Sequence, residues 1–174
     1  MRWRKCLLGI ALAGCGHRAT PGTDSTAVGI RSRTLADEPS AVIDSTRGRI
    51  LGVTLGMSAD SVKKVLGPPV REGSDVIDSV PVSVLEYPMG TIRVRPGTGV
   101  VDFLCGGDGC LSADSVGLAD STDVVLHSYG PTPPRGAIED PEALDYRLGS
   151  SSCNLTFALA AGRVTSLEIG CTLH

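Results

Sequence analysis

Two stretches of the chain, Val53 to Pro68 (VTLGMSADSVKKVLGP) and Val116 to Pro131 (VGLADSTDVVLHSYGP), align at a constant offset of 63 residues. At that offset Val53 matches Val116, Leu55 matches Leu118, Ser58 matches Ser121, Asp60 matches Asp123, and Val62 matches Val125. The Gly67-Pro68 pair falls on Gly130-Pro131. Each stretch has the pattern of a short amphipathic helix. A serine is placed to cap the first turn, an acid sits near the positive end of the helix dipole, valines share one face, and Gly-Pro forbids continuation. The match predicts a tandem duplication.

Three candidate strands follow each helix. After the first helix, Val82 to Tyr87, Thr91 to Arg95 and Val100 to Cys105 alternate with period two. That period puts Leu85 with Tyr87, Ile92 with Val94, and Val101 with Phe103 and Cys105 on the buried face, and Pro96-Gly97-Thr98-Gly99 turns a hairpin. After the second helix, about Asp120 to Ser128, the strands run Ala143 to Leu148, Cys153 to Leu159 and Val164 to Cys171, with a turn at Ala161-Gly162. The expected fold class is α+β: two tandem repeats, residues 49–110 and 111–174, each a short helix plus a three-stranded antiparallel sheet, with the helices on one face.

Aromatic residues make up only 3% of the 174, so Val, Leu, Ile and Ala must fill the core. The net charge is −3, and no cluster of Lys and Arg offers a footprint for nucleic acid.

The N-terminus reads MRWRKCLLGIALAGC, a basic segment, an apolar run too short to span a bilayer, then small residues before a cysteine. Residues 1–14 are expected to be a signal peptide. Leu12-Ala13-Gly14-Cys15 resembles a bacterial lipobox, which implies cleavage before Cys15 and lipidation of that residue; cleavage after Ala13, in an A-x-A context, is the alternative. Several acyl chains on one terminus give lasting membrane attachment. Gly16, rather than an aspartate, follows the cysteine. If the host has two membranes, the expected address is therefore the outer membrane, facing the periplasm. Residues 15–48, with their Pro, Gly, Ser and Thr, read as the lipidated cysteine and a flexible tether, and Ala41-Val42-Ile43 as the place where order begins.

Export takes the remaining cysteines, Cys105, Cys110, Cys153 and Cys171, out of the reducing cytosol, so disulfides are expected. Three pairings are formally possible. Centring the last turn on Ala161-Gly162 sets Cys153 opposite Gly170, so a bulge that shifts the register by one residue would bring Cys153 to Cys171. Cys105 and Cys110 enclose a flexible Gly-Gly-Asp-Gly ring. The preferred pairing is 105 with 110 and 153 with 171. The spacings lack the C-x2-C pairs of a zinc site or a redox dithiol, so no metal or cofactor is expected.

Histidines stand only at His17, His127 and His174. A triad around His127 lacks the nucleophile elbow that would support it. Glu139, Asp140, Glu142 and Asp145 read as a solvent-facing acidic loop, and Gly97-Thr98-Gly99 and Gly106-Gly107-Asp108-Gly109 open no helix, as a phosphate cradle would require. No catalytic residue is expected, and the chain is read as a non-enzyme.

The run from Gly52 to Pro69, G-x-x-L-G-M-S-x-x-x-V-x-x-x-L-G-P-P, resembles the SmpA/OmlA-type small lipoproteins of outer-membrane β-barrel assembly. It also looks like the related β-lactamase inhibitor protein architecture, in which two helix-plus-sheet repeats are fused and stapled by disulfides. The resemblance implies short helices on one face of an antiparallel sheet and a role in binding another protein. The expected function is a lipid-anchored extracytoplasmic protein-binding module, in outer-membrane assembly or envelope maintenance, attached to the membrane through its lipid. The alternative is a secreted inhibitor of a periplasmic or extracellular hydrolase.

Overall fold

The computed structural model describes residues 40–77, 79–136 and 141–171. In chain order these form strand β1 (Ala41–Ile43), a 3-10 turn (Ser45–Arg47), β2 (Arg49–Ile50), β3 (Val53–Thr54), helix α1 (Ala59–Leu66), and β4 (Arg71–Ile77). There follow β5 (Val80–Tyr87), β6 (Gly90–Arg95), β7 (Gly99–Cys105), α2 (Thr122–Tyr129), β8 (Pro134–Gly136), β9 (Pro141–Leu148), β10 (Cys153–Ala160) and β11 (Arg163–Cys171).

The expectation of an α+β fold made of two repeats, each a short helix plus three antiparallel strands, is overturned. The protein is mostly β, and one nine-stranded mixed sheet runs in the order β1-β9-β10-β11-β7-β6-β5-β4, with β8 also paired to β9. The helix-free strands of both halves merge where β11 pairs with β7, Ile169 opposite Phe103 and Leu167 opposite Cys105. Besides the two-stranded β2–β3 sheet, three strands of the large sheet lie outside the expected set, and each is an edge. In β4, REGSDVI, the first six residues are exposed, so it carries no buried alternation to detect. β8 is three residues containing Pro and Gly. β1 pairs in parallel with β9, Ala41 to Tyr146 and Ile43 to Leu148, an arrangement local periodicity cannot announce.

Both helices lie on the same face of this sheet, where Val62 and Val125 are each 0% exposed and join one apolar cluster with Leu85, Ile92, Phe103, Leu155, Phe157 and Ile169. Ser58 Oγ accepts the Ser61 amide and caps α1, whereas Ser121 occupies the cap position of α2 without such a bond. Each helix ends on a glycine at positive φ, 84° at Gly67 and 88° at Gly130, a backbone state that glycine enters without a Cβ penalty. The carbonyl so exposed is taken by a tyrosine from the sheet. Tyr87 donates its hydroxyl to Gly67 O at 3.1 Å and Tyr146 donates to Gly130 O at 2.8 Å. Tyr129, at the end of α2, completes the packing against Tyr146 and Phe157, with ring centroids 5.3 and 5.1 Å away.

Two disulfides close the structure. Cys105 is bonded to Cys110 and Cys153 to Cys171. The latter pair faces directly across the β10–β11 hairpin because the register shifts between Ala158 and Leu159, which places Cys153 opposite Cys171 and Asn154 opposite Gly170. The segment ahead of β2 is fastened as well. Ile43 is buried, and Arg47 donates to Ser128 O at 2.6 Å, pairs with Asp114 at 2.9 Å and lies 4.5 Å over the ring of Tyr129.

Candidate functional site on the open sheet face

The face of the sheet turned away from the helices carries the residues that alternate with the core. One cross-strand row runs Val84, Arg93, Asp102, Gly170, Asn154 and Arg147 from β5 to β9, and the next runs Glu86, Thr91, Leu104, Glu168, Thr156 and Asp145. The sheet is not flat. Ile77, at the end of β4, and Arg135, on β8, line one groove of about 360 Å³ together with Asp102, Asp145, Thr156, Glu168 and Gly170. Seven inter-strand steps separate β4 from β8 in the sheet, about 34 Å if it were flat at the usual spacing. Both edges can reach one groove only if the sheet curls over its helix-free side. Strand twist and bulges produce such a curl; register shifts occur between Arg93 and Val94 and between Ala158 and Leu159.

The groove is polar at its floor. Asp102, in the groove, accepts from Arg93 beside it, and Arg93 also lies 3.9 Å from Asp75. Thr156 Oγ1 donates to Asp145 Oδ1 at 2.7 Å, and the other oxygen of Asp145 is 3.6 Å from Arg135 Nε. The carboxylate of Glu168, between these pairs, makes no hydrogen bond or ion pair among the described residues. Burial of its carboxylate, and then the charge of Asp102, raise its pKa above the ordinary value, with Asp145 adding to the rise and Arg135 and Arg93 opposing it. Beside Glu168 the side chain of Leu104 stands 43% exposed.

Of the residues singled out from sequence, Asp145 and Cys171 line the groove and the others fall elsewhere. Cys105, Cys110, Cys153 and Cys171 form the two disulfides. His127 is on the solvent side of α2. Cys15, His17, His174, Glu139 and Asp140 lie outside the described residues. Asp145, counted with an acidic loop although it lies within the strand expected from Ala143 to Leu148, is a strand residue facing the groove, and Glu142 joins the same strand because β9 begins at Pro141. Arg93, Asp102, Thr156 and Glu168 are not among the residues that the sequence singles out. Their signal was present as the second phase of the strand alternation, polar residues at matched positions on neighbouring strands, and it becomes a site only once strand order is known.

No three His, Cys, Asp or Glu side chains converge to hold a metal ion among the described residues. No described helix is long and apolar enough to cross a membrane. No protein-family model, curated protein or solved structure matches the chain, so the site is read from its own geometry.

Proposed function

We propose that the protein is a protein-binding module of the bacterial envelope, held to a membrane through lipid on Cys15, with the concave face of its sheet as the contact surface. One observation carries this reading: a continuous sheet has one face closed by helices while the other curls, from edge to edge, around an open groove of polar side chains, with the exposed Leu104 on the same face beside Glu168. An exposed apolar anchor ringed by polar groups is the layout of a protein contact.

The test is site-specific photocrosslinking in intact cells. A benzoylphenylalanine placed at Leu104, on the open face beside the groove, should give a discrete adduct with another protein, and one placed at Val65, on α1, should not. Replacing Cys15 by Ser should release the chain from the membrane fraction and weaken the adduct. Equal labelling from both positions, or none from Leu104, would remove the concave face as the binding surface.

A further inference from the structure

We infer that β4 is a self-association edge, on which a second copy of this chain lays its own β4 antiparallel about a two-fold axis through Gly73; the contact uses the rim of the sheet rather than its open face. β4 ends the large sheet, with β5 on one side and no strand on the other among the described residues. Its first six residues are exposed. An open edge of this kind is a template for another strand. One hydrogen bond fixes which residues offer their backbone outward. The Val76 amide is held at 2.8 Å by Asp75 Oδ1, and Pro81, opposite Val76 on β5, has no amide to exchange with it. Val76 therefore directs its peptide groups away from β5, and so do Ser74 and Glu72, at steps of two along the strand.

A second β4 complements this edge in one register. Centred on Gly73, the antiparallel pair sets Glu72 opposite Ser74 of the second copy, so the outward-facing residues exchange backbone hydrogen bonds on both sides of the axis. The same register sets Arg71 opposite Asp75 and Val70 opposite Val76, each twice by symmetry. Arg71 and Asp75 are largely exposed, and their ion pairs within the chain are long, 3.9 Å to Glu86 and 3.9 Å to Arg93. Val70, whose amide donates to Glu86 O and so continues the ladder, is 76% exposed and Val76 is 65% exposed. They are the two most exposed large apolar side chains among the described residues, and this register gives each a cover. Glu72, the remaining charge of the strand, is tied to Lys63 of α1 at 2.8 Å and meets only a serine across the axis. The neighbouring registers of the same parity lose these matches: centring on Glu72 opposes two glutamates, and centring on Ser74 sets Arg71 against Ile77. Charges on an edge ordinarily keep a second copy away, whereas these are self-complementary.

The experiment expresses the full chain with two different epitope tags in the same cells, oxidises briefly with copper phenanthroline, and scores two-tag dimers on non-reducing gels. Gly73→Cys brings two thiols face to face at a non-hydrogen-bonded pair, with Cα atoms about 4.5 Å apart and within disulfide reach. Ser74→Cys offsets them along the strands to more than about 7 Å, out of reach. Above the wild-type background, Gly73→Cys should therefore give at least about tenfold more dimer than Ser74→Cys. Adding Arg71→Glu opposes like charges at both ends and should cut that dimer at least about fivefold, and adding Asp75→Arg as well restores opposite charges and should bring the dimer back. The substituted side chains are exposed, and a Cβ at Gly73 meets nothing within 4 Å at a backbone φ that is not positive, so the variants fold. No dimer from Gly73→Cys, equal yields from positions 73 and 74, or a yield indifferent to the charge reversals would overturn the inference. An adduct of Gly73→Cys with a different protein in place of the dimer would overturn it too, because the edge would then serve another chain.

Discussion

At the scale of single residues, two hydroxyl groups decide how the helices are held. A helix stop on glycine leaves carbonyls without intrahelical partners, and both are satisfied from the sheet, by Tyr87 and Tyr146. Tyr146 is 0% exposed, so Tyr146→Phe strands the Gly130 carbonyl away from water and should cost about 1–2 kcal/mol, against less than about 1 kcal/mol for Tyr87→Phe at its longer bond. Urea unfolding followed by circular dichroism measures both. Burial raises the pKa of each phenol above the usual tyrosine value. A folded pKa above the unfolded one means a contribution fully present below about pH 10 and lost as pH rises toward the folded value. Wild type should therefore lose stability more steeply than Tyr146→Phe above pH 10. The same sign applies to Glu168 in the acid range. Its protonated form is favoured in the fold, so its contribution is complete below the ordinary carboxylate range and is lost as pH rises through the raised pKa. Glu168→Gln should thus be more stable than wild type at pH 7, by no more than about 0.5 kcal/mol given solvent screening at this accessible side chain. The difference should vanish near pH 4; a variant less stable than wild type at pH 7 would contradict the unpaired state of Glu168.

At the scale of elements, the edges of the sheet rather than its centre account for what was hidden in the letters. The central strands carry period-two apolar residues, and Leu85, Ile92, Phe103, Leu155 and Ile169 are all buried where alternation places them. The helix stops were equally legible, because Gly-Pro has few other uses. Edge strands need only backbone pairing on one side, so β4 and β8 could be built from polar or turn-forming residues and gave no pattern. β1 lies within the stretch read as a tether, yet it is a sheet strand. Ile43 is buried, Gly48 packs where a Cβ would come within 2.5 Å of Leu148, and Arg47 ties the segment to Ser128, Tyr129 and Asp114. Burying one isoleucine contributes about 1.5–3 kcal/mol, to which the hydrogen bonds of Arg47 add. Removal of residues 1–48 should therefore destabilise the domain by about 3 kcal/mol relative to removal of residues 1–39, read as a shift in urea midpoint. Equal midpoints would show that the strap does not hold.

At the scale of the whole molecule, the sequence of events in the fold divides labour between two faces. Alternation sends every second strand residue to the helix side, where the helices, the tyrosine clamps and the Cys105–Cys110 bond seal an apolar cluster. The remaining residues are left on a surface that no element of the described chain covers, and curl converts that surface from a flat sheet into a groove spanned by both edges. A face left open in this way contributes little to stability and can be altered without unfolding the protein, while a binding role makes it sensitive to small changes. Leu104 and Val65 separate the two demands. They are similarly exposed, 43% and 48%, and lie on opposite faces. Leu104→Ala and Val65→Ala should each change the unfolding free energy by less than about 1 kcal/mol, as exposed truncations do. For the protein that crosslinks to position 104, Leu104→Ala should weaken binding at least about tenfold, the cost of a modest interface anchor, and Val65→Ala should leave it unchanged. Pull-down titration with the crosslinked partner reads both. Parallel losses in the two variants would mean that partner capture follows general stability, and equal binding by both would mean that Leu104 does not anchor the partner on the open face.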